Sequence, residues 1–305
     1  MKILFAGTPE TAATVLRGLV ASGHEVVAVL TREDAPVGRK KELTPSSVAQ
    51  VADALGIPAI KANKVTSSVQ EQIASTDAEL GIIVAYGVLL KQDSLELLAK
   101  GWFNLHYSLL PKYRGAAPVQ RAIEAGDNET GITIFKLDQG MDTGEMLASL
   151  PVSIEEDETA GELLKRLTEL GITLLNQELP KLYNDQFSLV PQVGASSLAS
   201  KPTREDAKID FAKSSKEIFN KVRAFNPEPM AWCSYKGEPF RVLRARVIET
   251  KSEHSVGESF SIDNRVVVAC GGGSVLELIE VQPSSKKVMP AQDWFRGSDR
   301  EEPLR

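Results

Sequence analysis

Lys2-Ile3-Leu4-Phe5-Ala6-Gly7-Thr8-Pro9-Glu10 opens the chain, and Glu25-Val26-Val27-Ala28-Val29-Leu30-Thr31 follows at a helix-length interval. Both contain continuous apolar runs without alternation, the pattern of strands buried on both faces. Between them Ala13, Leu16, Leu19 and Val20 recur at helical spacing. A strand–helix–strand unit of this kind makes a parallel pair, because the helix returns the chain to the same edge before the next strand begins. The stretch therefore sets an α/β fold. Gly7-Thr8-Pro9 stands where a dinucleotide fingerprint would, but it lacks the second and third glycines and carries Pro9 where backbone must approach a pyrophosphate. No NAD is expected.

Further strands are expected at Leu80 to Ala85, Trp102 to His106, Thr130 to Leu137 and Glu145 to Ser153. The last two are joined by the Gly-rich turn Asp138-Gln139-Gly140-Met141-Asp142-Thr143-Gly144, which favours an antiparallel hairpin. Helices are expected from Ser46 or Ser47 to Leu55, over Asp93 to Lys100, over Pro118 to Ala125, and from a Thr159/Glu162 capping box to about Leu182. Charge, Pro36 and Gly38 break the pattern between Arg32 and Thr44. Beyond a Ser/Ala/Gly-rich stretch, one helix (Ser215 to Ala224) and several short strands (Trp232 to Tyr235, Phe240 to Ile248, Gly257 to Ile262, Arg265 to Ala269, Ser274 to Val281) suggest a small β-barrel. The expected architecture is a Rossmann-like, mostly parallel domain over 1–189, a linker over 190–206 and a C-terminal barrel over 207–305.

The 305 residues, 42% of them hydrophobic, are enough for two cores. No apolar run reaches transmembrane length and no secretory leader is visible, so a cytoplasmic protein without membrane contact is expected. Cys233 and Cys270 form no CxxC pair and read as buried reduced thiols. With no HxxxH or Cys/His spacing, no metal is expected. The net charge is −6, but residues 207–305 hold 16 Lys+Arg against 14 Asp+Glu while the remainder holds 19 against 27. A mildly basic C-terminal third on an acidic body is compatible with RNA as a partner.

Asn104 and His106 lie two apart at the end of a strand, so both side chains leave the same face at the C-terminal sheet edge, where ligand crevices form. Asp142, between Gly140 and Gly144, can reach that edge. An amide, an imidazole and a carboxylate suit acyl transfer: Asn donates to a developing oxyanion, His moves a proton, and Asp orients the ring and favours its charged form. A serine hydrolase is not supported, since GxSxG is absent and Ser108 is too near His106 along the chain.

Asn104-x-His106-x-Ser108-Leu109-Leu110-Pro111-x-Tyr113-Arg114-Gly115-Ala116-Ala117-Pro118, followed by Asp138-x-Gly140-x-Asp142-Thr143-Gly144, resembles the folate-dependent formyltransferase family. Phe5-Ala6-Gly7-Thr8-Pro9 and Val84-Ala85-Tyr86-Gly87 extend the match. The resemblance implies a formyltransferase domain with Asn104, His106 and Asp142 as catalytic residues and 10-formyltetrahydrofolate as co-substrate. It also implies folate contacts from Ser108, Leu109, Leu110, Pro111, Tyr86, Gly87 and Asp138.

Arg223-Ala224-Phe225-Asn226-Pro227-x-Pro229-Met230-x-Trp232, Gln282-Pro283-x-x-Lys286-Lys287-x-Met289 and Pro36-Val37-Gly38-Arg39-Lys40-Lys41 are similar to the branch that formylates initiator methionyl-tRNA. This similarity implies an OB-like barrel, a monomer, and RNA contacts from Arg39, Lys40, Lys41, Lys208, Arg223 and Lys287, with Lys221, Arg241 and Arg244 nearby. The family loop usually reads Gly-Arg-Gly-Lys-Lys; here Arg39 is followed directly by Lys40, and Glu42 adds an acid. The alternatives are the same chemistry on a small amine such as a nucleotide-sugar, and a non-catalytic RNA- or folate-binding protein. A small-amine enzyme need not carry the second domain or the Arg39 loop, so the second domain is expected to separate the acceptors.

Overall fold

The computed structural model describes residues 1–38, 40–299 and 302–305. The chain divides into two compact units, one of residues 1–118, 130–152 and 164–199, the other of 119–129, 153–163 and 200–305.

The chain runs through β1 (Ile3–Gly7), α1 (Glu10–Ala21), β2 (Val26–Thr31), β3 (Ala35–Val37), β4 (Glu42–Thr44), α2 (Ser47–Ala54), β5 (Ala59–Lys61), α3 (Ser67–Ala74), β6 (Leu80–Val84), α4 (Gln92–Leu95), β7 (Trp102–His106), α5 (Pro118–Ala125), β8 (Glu129–Lys136), β9 (Met146–Ser153) and α6 (Ala160–Tyr183). A seven-stranded sheet has the order β5-β2-β1-β6-β7-β8-β9. β1 is parallel to β2 and β6, β2 to β5, and β6 to β7, while β8 runs antiparallel to β7. The opening strand–helix–strand unit thus forms as its apolar pattern dictates: all of β1 is buried, and α1 buries Ala12, Ala13, Val15, Leu16 and Leu19. Ser46 starts α2 by accepting from Ala49 N–H at 3.0 Å, the role its position in the sequence suggests. The Thr159/Glu162 capping box is also formed.

Within the sheet, Gly81 lies under the ring of Trp102, which is fixed by its Nε1–H donating to Ser94 O at 2.9 Å. A Cβ at position 81 would lie 2.1 Å from a ring carbon, so the glycine is a packing requirement.

In the second unit, α7 (Ser215–Ala224) lies against an antiparallel sheet of β10 (Trp232–Tyr235), β11 (Glu238–Ile248), β12 (Ser259–Ile262), β13 (Arg265–Ala269) and β14 (Val275–Pro283), in the order β10-β11-β14-β13-β12. β15 (Met289–Pro290) pairs with β14, and α8 (Ala291–Arg296) follows. Ile218, Phe219 and Val222 of α7 share a core with Phe240, Val242, Val266, Val268, Leu276 and Leu278. Trp294 of α8 closes it against Phe240, with ring centroids 4.7 Å apart.

Apolar periodicity leaves β5, α3, α8 and the β3–β4 ribbon unmarked, because each is short and carries few buried residues. Residues 119–129 and 153–163 precede position 189 yet pack with the second unit. Residues 190–199, whose composition reads as a linker, form a strap on the first unit. Val190 exchanges both backbone hydrogen bonds with Met146, Ser197 O accepts from Arg114 N–H at 2.9 Å, and Ala199 N–H donates to Arg114 O at 2.7 Å. Composition reports the small side chains of this stretch but is silent on where its backbone groups bond.

Gly81→Ala is expected to destabilise the protein by about 1–3 kcal/mol through overpacking. Trp102→Leu introduced alongside it is expected to restore part of that stability. Denaturant unfolding of both single variants and the double variant reads the coupling; strictly additive effects would show that the contact does not govern this layer.

Candidate active site

The ends of β6 and β7 and the turn between β8 and β9 enclose a cleft of about 360 Å³. One wall is apolar, from Val88, Leu89, Leu90, Leu95, Leu137 and Met141; Asn104, His106, Asp138 and Asp142 supply the polar groups. The three candidate catalytic residues therefore share one wall. Alternation along β7 places Asn104 and His106 on the same face, and the Asn104 carboxamide makes no hydrogen bond to a described residue.

His106 is 5% exposed. Its Nε2 lies 2.9 Å from Tyr113 O; a carbonyl only accepts, so Nε2 carries the proton. Nδ1 then faces Asp142 Oδ2 across 3.8 Å, longer than a direct hydrogen bond. The Asp142 carboxylate is held in turn by Gly115 N–H, which donates to Oδ2 at 2.7 Å. Asp142 itself adopts φ 56°, a left-handed conformation that an L-residue rarely takes. Burial lowers the His106 pKa below 6.5; the charge of Asp142 and the bond to Tyr113 O raise it, but burial prevails. From the sequence, Asp142 is expected to favour the charged form of the ring; in the structure burial counts for more than the nearby carboxylate, so the ring holds a proton less readily than a free imidazole.

The four residues Ser108 to Pro111 do not line the cleft. Ser108 Oγ donates to Lys112 O at 2.6 Å, and Leu110 N–H donates to Thr133 Oγ1 at 3.2 Å. They form the turn that brings Tyr113 O back to His106, and these two polar groups are occupied within it. Tyr86 presents its backbone to the cleft together with Gly87, while its buried hydroxyl donates to Ala62 O at 2.9 Å and burial pushes its pKa up to about 12. Asp138 Oδ1 accepts from Gly140 N–H and Thr143 Oγ1 at 3.0 and 2.7 Å, fixing the turn that carries Asp142.

One residue of this site has no motif to announce it. Gln192, on the strap, donates to Asp142 O at 2.9 Å and to Gly144 O at 2.8 Å and accepts from the Arg114 guanidinium. Its position in a polar, aperiodic stretch gives no sign of this; only the fold brings it to the turn.

Among the basic residues, Arg39 lies outside the described residues. Lys40 and Lys41 are exposed at the turn of the β3–β4 ribbon, and Lys208 and Lys287 are exposed on the second unit. Arg223 is not available to RNA. It is 6% exposed, donates to Glu155 O, Glu158 O and Asn220 Oδ1, and lies 4.9 Å from the Phe219 ring centroid. It sits on the inward face of α7, where it ties the 153–163 segment to that helix. Lys221 donates to Asp206 O, and Arg244 pairs with Glu162. Among the described residues, no three His, Cys, Asp or Glu side chains cluster as metal ligands, and no helix is long and apolar enough to cross a membrane.

Residues 1–179 match the family model described as formyl transferase, and residues 201–299 match that of the formyl transferase C-terminal domain. The chain is 43% identical over 297 residues to a methionyl-tRNA formyltransferase of Clavibacter sepedonicus, covering 97% of both chains. It is 44% identical to one of Arthrobacter sp. (strain FB24), again covering 97% of each. Among solved structures it resembles the N-formyltransferase of Helicobacter canadensis in complex with folinic acid and dTDP-3-aminofucose, with TM-score 0.68, 20% identity, and coverage of 93% of this chain and 99% of that one. That enzyme thus shares the fold of nearly the whole chain.

Because the folded His106 binds its proton less readily than the unfolded one, the unfolded state gains protons as pH falls through 6.5. The contribution of His106 to stability is therefore complete above that range and is lost on acidification. Relative to His106→Asn, the wild type should lose up to about 1.4 kcal/mol per pH unit between the two pKa values. Unfolding free energies at pH 7.5 and 5.5 test this; parallel losses in both proteins would refute it.

Proposed function

Because the chain belongs to the formyl transferase family and matches both of its domains, we propose that it transfers a formyl group from 10-formyltetrahydrofolate to the α-amine of initiator methionyl-tRNA. The observation that carries the chemistry is the placement of the Asn104 carboxamide, the His106 imidazole and the Asp142 carboxylate on the wall of one cleft. The acceptor is supported by the 43% identity over 97% of the chain to enzymes of that name. The sugar N-formyltransferase likeness, at 20% identity, speaks to fold alone.

The donor supplies an activated formyl carbon on a weakly basic anilinic nitrogen. Its flat ring suits the apolar wall from Val88 to Leu95, and its polar edge suits the backbone groups at Tyr86–Gly87 and Asp138–Asp142. Attack by an amine concentrates negative charge on the former carbonyl oxygen. Asn104 Nδ2 would donate to it, a hydrogen bond whose removal costs on the order of 3 kcal/mol. The attacking nitrogen must shed a proton. His106 Nδ1 carries the lone pair to take it, and Asp142 beside it stabilises the imidazolium so formed. Tyr113 O and Gly115 N–H hold the pair in register while the charge moves. The proton then passes to the departing nitrogen, directly or through water, and makes it a competent leaving group.

Exposed Lys208, Arg241 and Lys287 of the second unit, with Lys40 and Lys41 of the ribbon, are the cations proposed to meet the RNA backbone. The buried Arg223 is not among them.

His106→Ala and Asp142→Asn should each lower kcat by at least about 10²-fold with methionyl-tRNA affinity kept within about threefold. The assay is transfer of labelled formyl from 10-formyltetrahydrofolate to charged initiator tRNA, with charged elongator tRNA, free methionine and a dTDP-amino-sugar as parallel acceptors. Transfer to the sugar alone would move the chain to the small-amine reading, and a near-wild-type His106 variant would remove the imidazole from the mechanism.

Wild-type affinity for the RNA should fall with added salt. Lys208→Ala and Lys287→Ala should each weaken it and flatten the logarithmic salt slope by about 0.7–0.9 for each phosphate no longer neutralised. Filter binding at several salt concentrations measures this; unchanged slopes in both variants would exclude these lysines from the interface.

A further inference from the structure

We infer that Gln192 is a positioning residue for formyl transfer: through its carboxamide, the strap holds Asp142 at its working distance from His106. This role rests on the function proposed above.

The geometry is over-determined at one group. A carboxamide offers two N–H donors and two acceptor lone pairs. Gln192 uses all four. Its Nε2 donates to Asp142 O at 2.9 Å and Gly144 O at 2.8 Å. Its Oε1 accepts from Arg114 Nε at 3.1 Å and Arg114 Nη2 at 2.6 Å. Turning the amide over would set oxygen against two carbonyls and N–H against a guanidinium, so only one orientation is tolerated. The two carbonyls it gathers flank Thr143, so the clamp closes directly on the residue that carries the carboxylate. The clamp also fixes Asp142 in the left-handed backbone region, at φ 56°.

The partner on the other side belongs to the same construction. Arg114 is bracketed by Tyr113, whose carbonyl takes the His106 proton, and Gly115, whose amide takes the Asp142 carboxylate. The Arg114 backbone is bonded to Ser197 and Ala199 of the strap, and Tyr113 N–H donates to Ser197 Oγ at 2.9 Å. Gln192 therefore joins the segment that fixes the imidazole to the turn that fixes the carboxylate. It touches neither reacting group, so it acts on the pair through their separation.

Gln192→Glu separates this role from simple packing. It keeps the side-chain shape and the pairing to Arg114, but it sets a carboxylate oxygen against the carbonyls of Asp142 and Gly144 and so pushes the turn away. The expected result is a kcat lowered by about 10- to 100-fold, with KM for both substrates within about threefold. The thermal midpoint should stay close to wild type, and the midpoint of the His106 ring titration, followed by NMR in the ligand-free protein, should move. Gln192→Met, which removes both halves of the clamp without adding charge, should lower kcat in the same range.

Wild-type kcat and an unmoved His106 titration in both variants would overturn the inference. Failure of both to fold would also overturn it, since the residue would then hold the domain rather than the pair. The titration needs no substrate. Wild-type protein inactive on methionyl-tRNA would thus sink the functional reading and leave the titration to decide the role of Gln192.

Discussion

An imidazole buried to 5% exposure with a carboxylate oxygen 3.8 Å away is the constraint around which the first unit is arranged. Neither group is stable there without support. The neutral ring needs an acceptor for its one N–H, and the carboxylate needs donors to replace water. Tyr113 O and Gly115 N–H supply these from a single short segment, and that segment is held by the strap. Parallel strands bring β6 and β7 to a common edge, the antiparallel β8 returns beside β7, and the turn after β8 swings Asp142 over the same edge. The sheet order thus serves to bring Asp142 to the wall that already carries Asn104 and His106.

Burial also sets the direction of the chemistry. A carboxylate beside a histidine in water would favour the imidazolium. Here desolvation prevails, and the ring holds a proton less readily than a free imidazole. A proton taken during the proposed reaction creates the charged ring only at the moment when Asp142 can stabilise it. An active-site base that is neutral at rest and charged in the transition state places its electrostatic stabilisation where the barrier is.

Much of this was legible in the sequence. Strands and helices with long apolar patterns fell within a few residues of their observed limits, as for Trp102 to His106 and Ser215 to Ala224. The alternation rule put Asn104 and His106 on one face, and the glycines around Asp142 marked a tight turn. What was not legible depends on tertiary pairing. Nothing about Arg223 in the linear chain says whether its charge faces solvent or the 153–163 segment. Ser108 to Pro111 carries the family motif, and the linear motif does not say that Ser108 Oγ and Leu110 N–H bond to Lys112 O and Thr133 Oγ1. Gln192 lies in a stretch whose composition suggests slack chain, while its side chain is engaged with Asp142, Gly144 and Arg114. Composition reports what a segment could bury, but not what it bonds to.

The two compact units are not consecutive in the chain. The polypeptide passes between them at 118/119, 129/130, 152/153, 163/164 and 199/200. No single peptide bond divides them. A cut after residue 199 would leave the second unit without residues 119–129 and 153–163, including the carbonyls to which Arg223 is anchored.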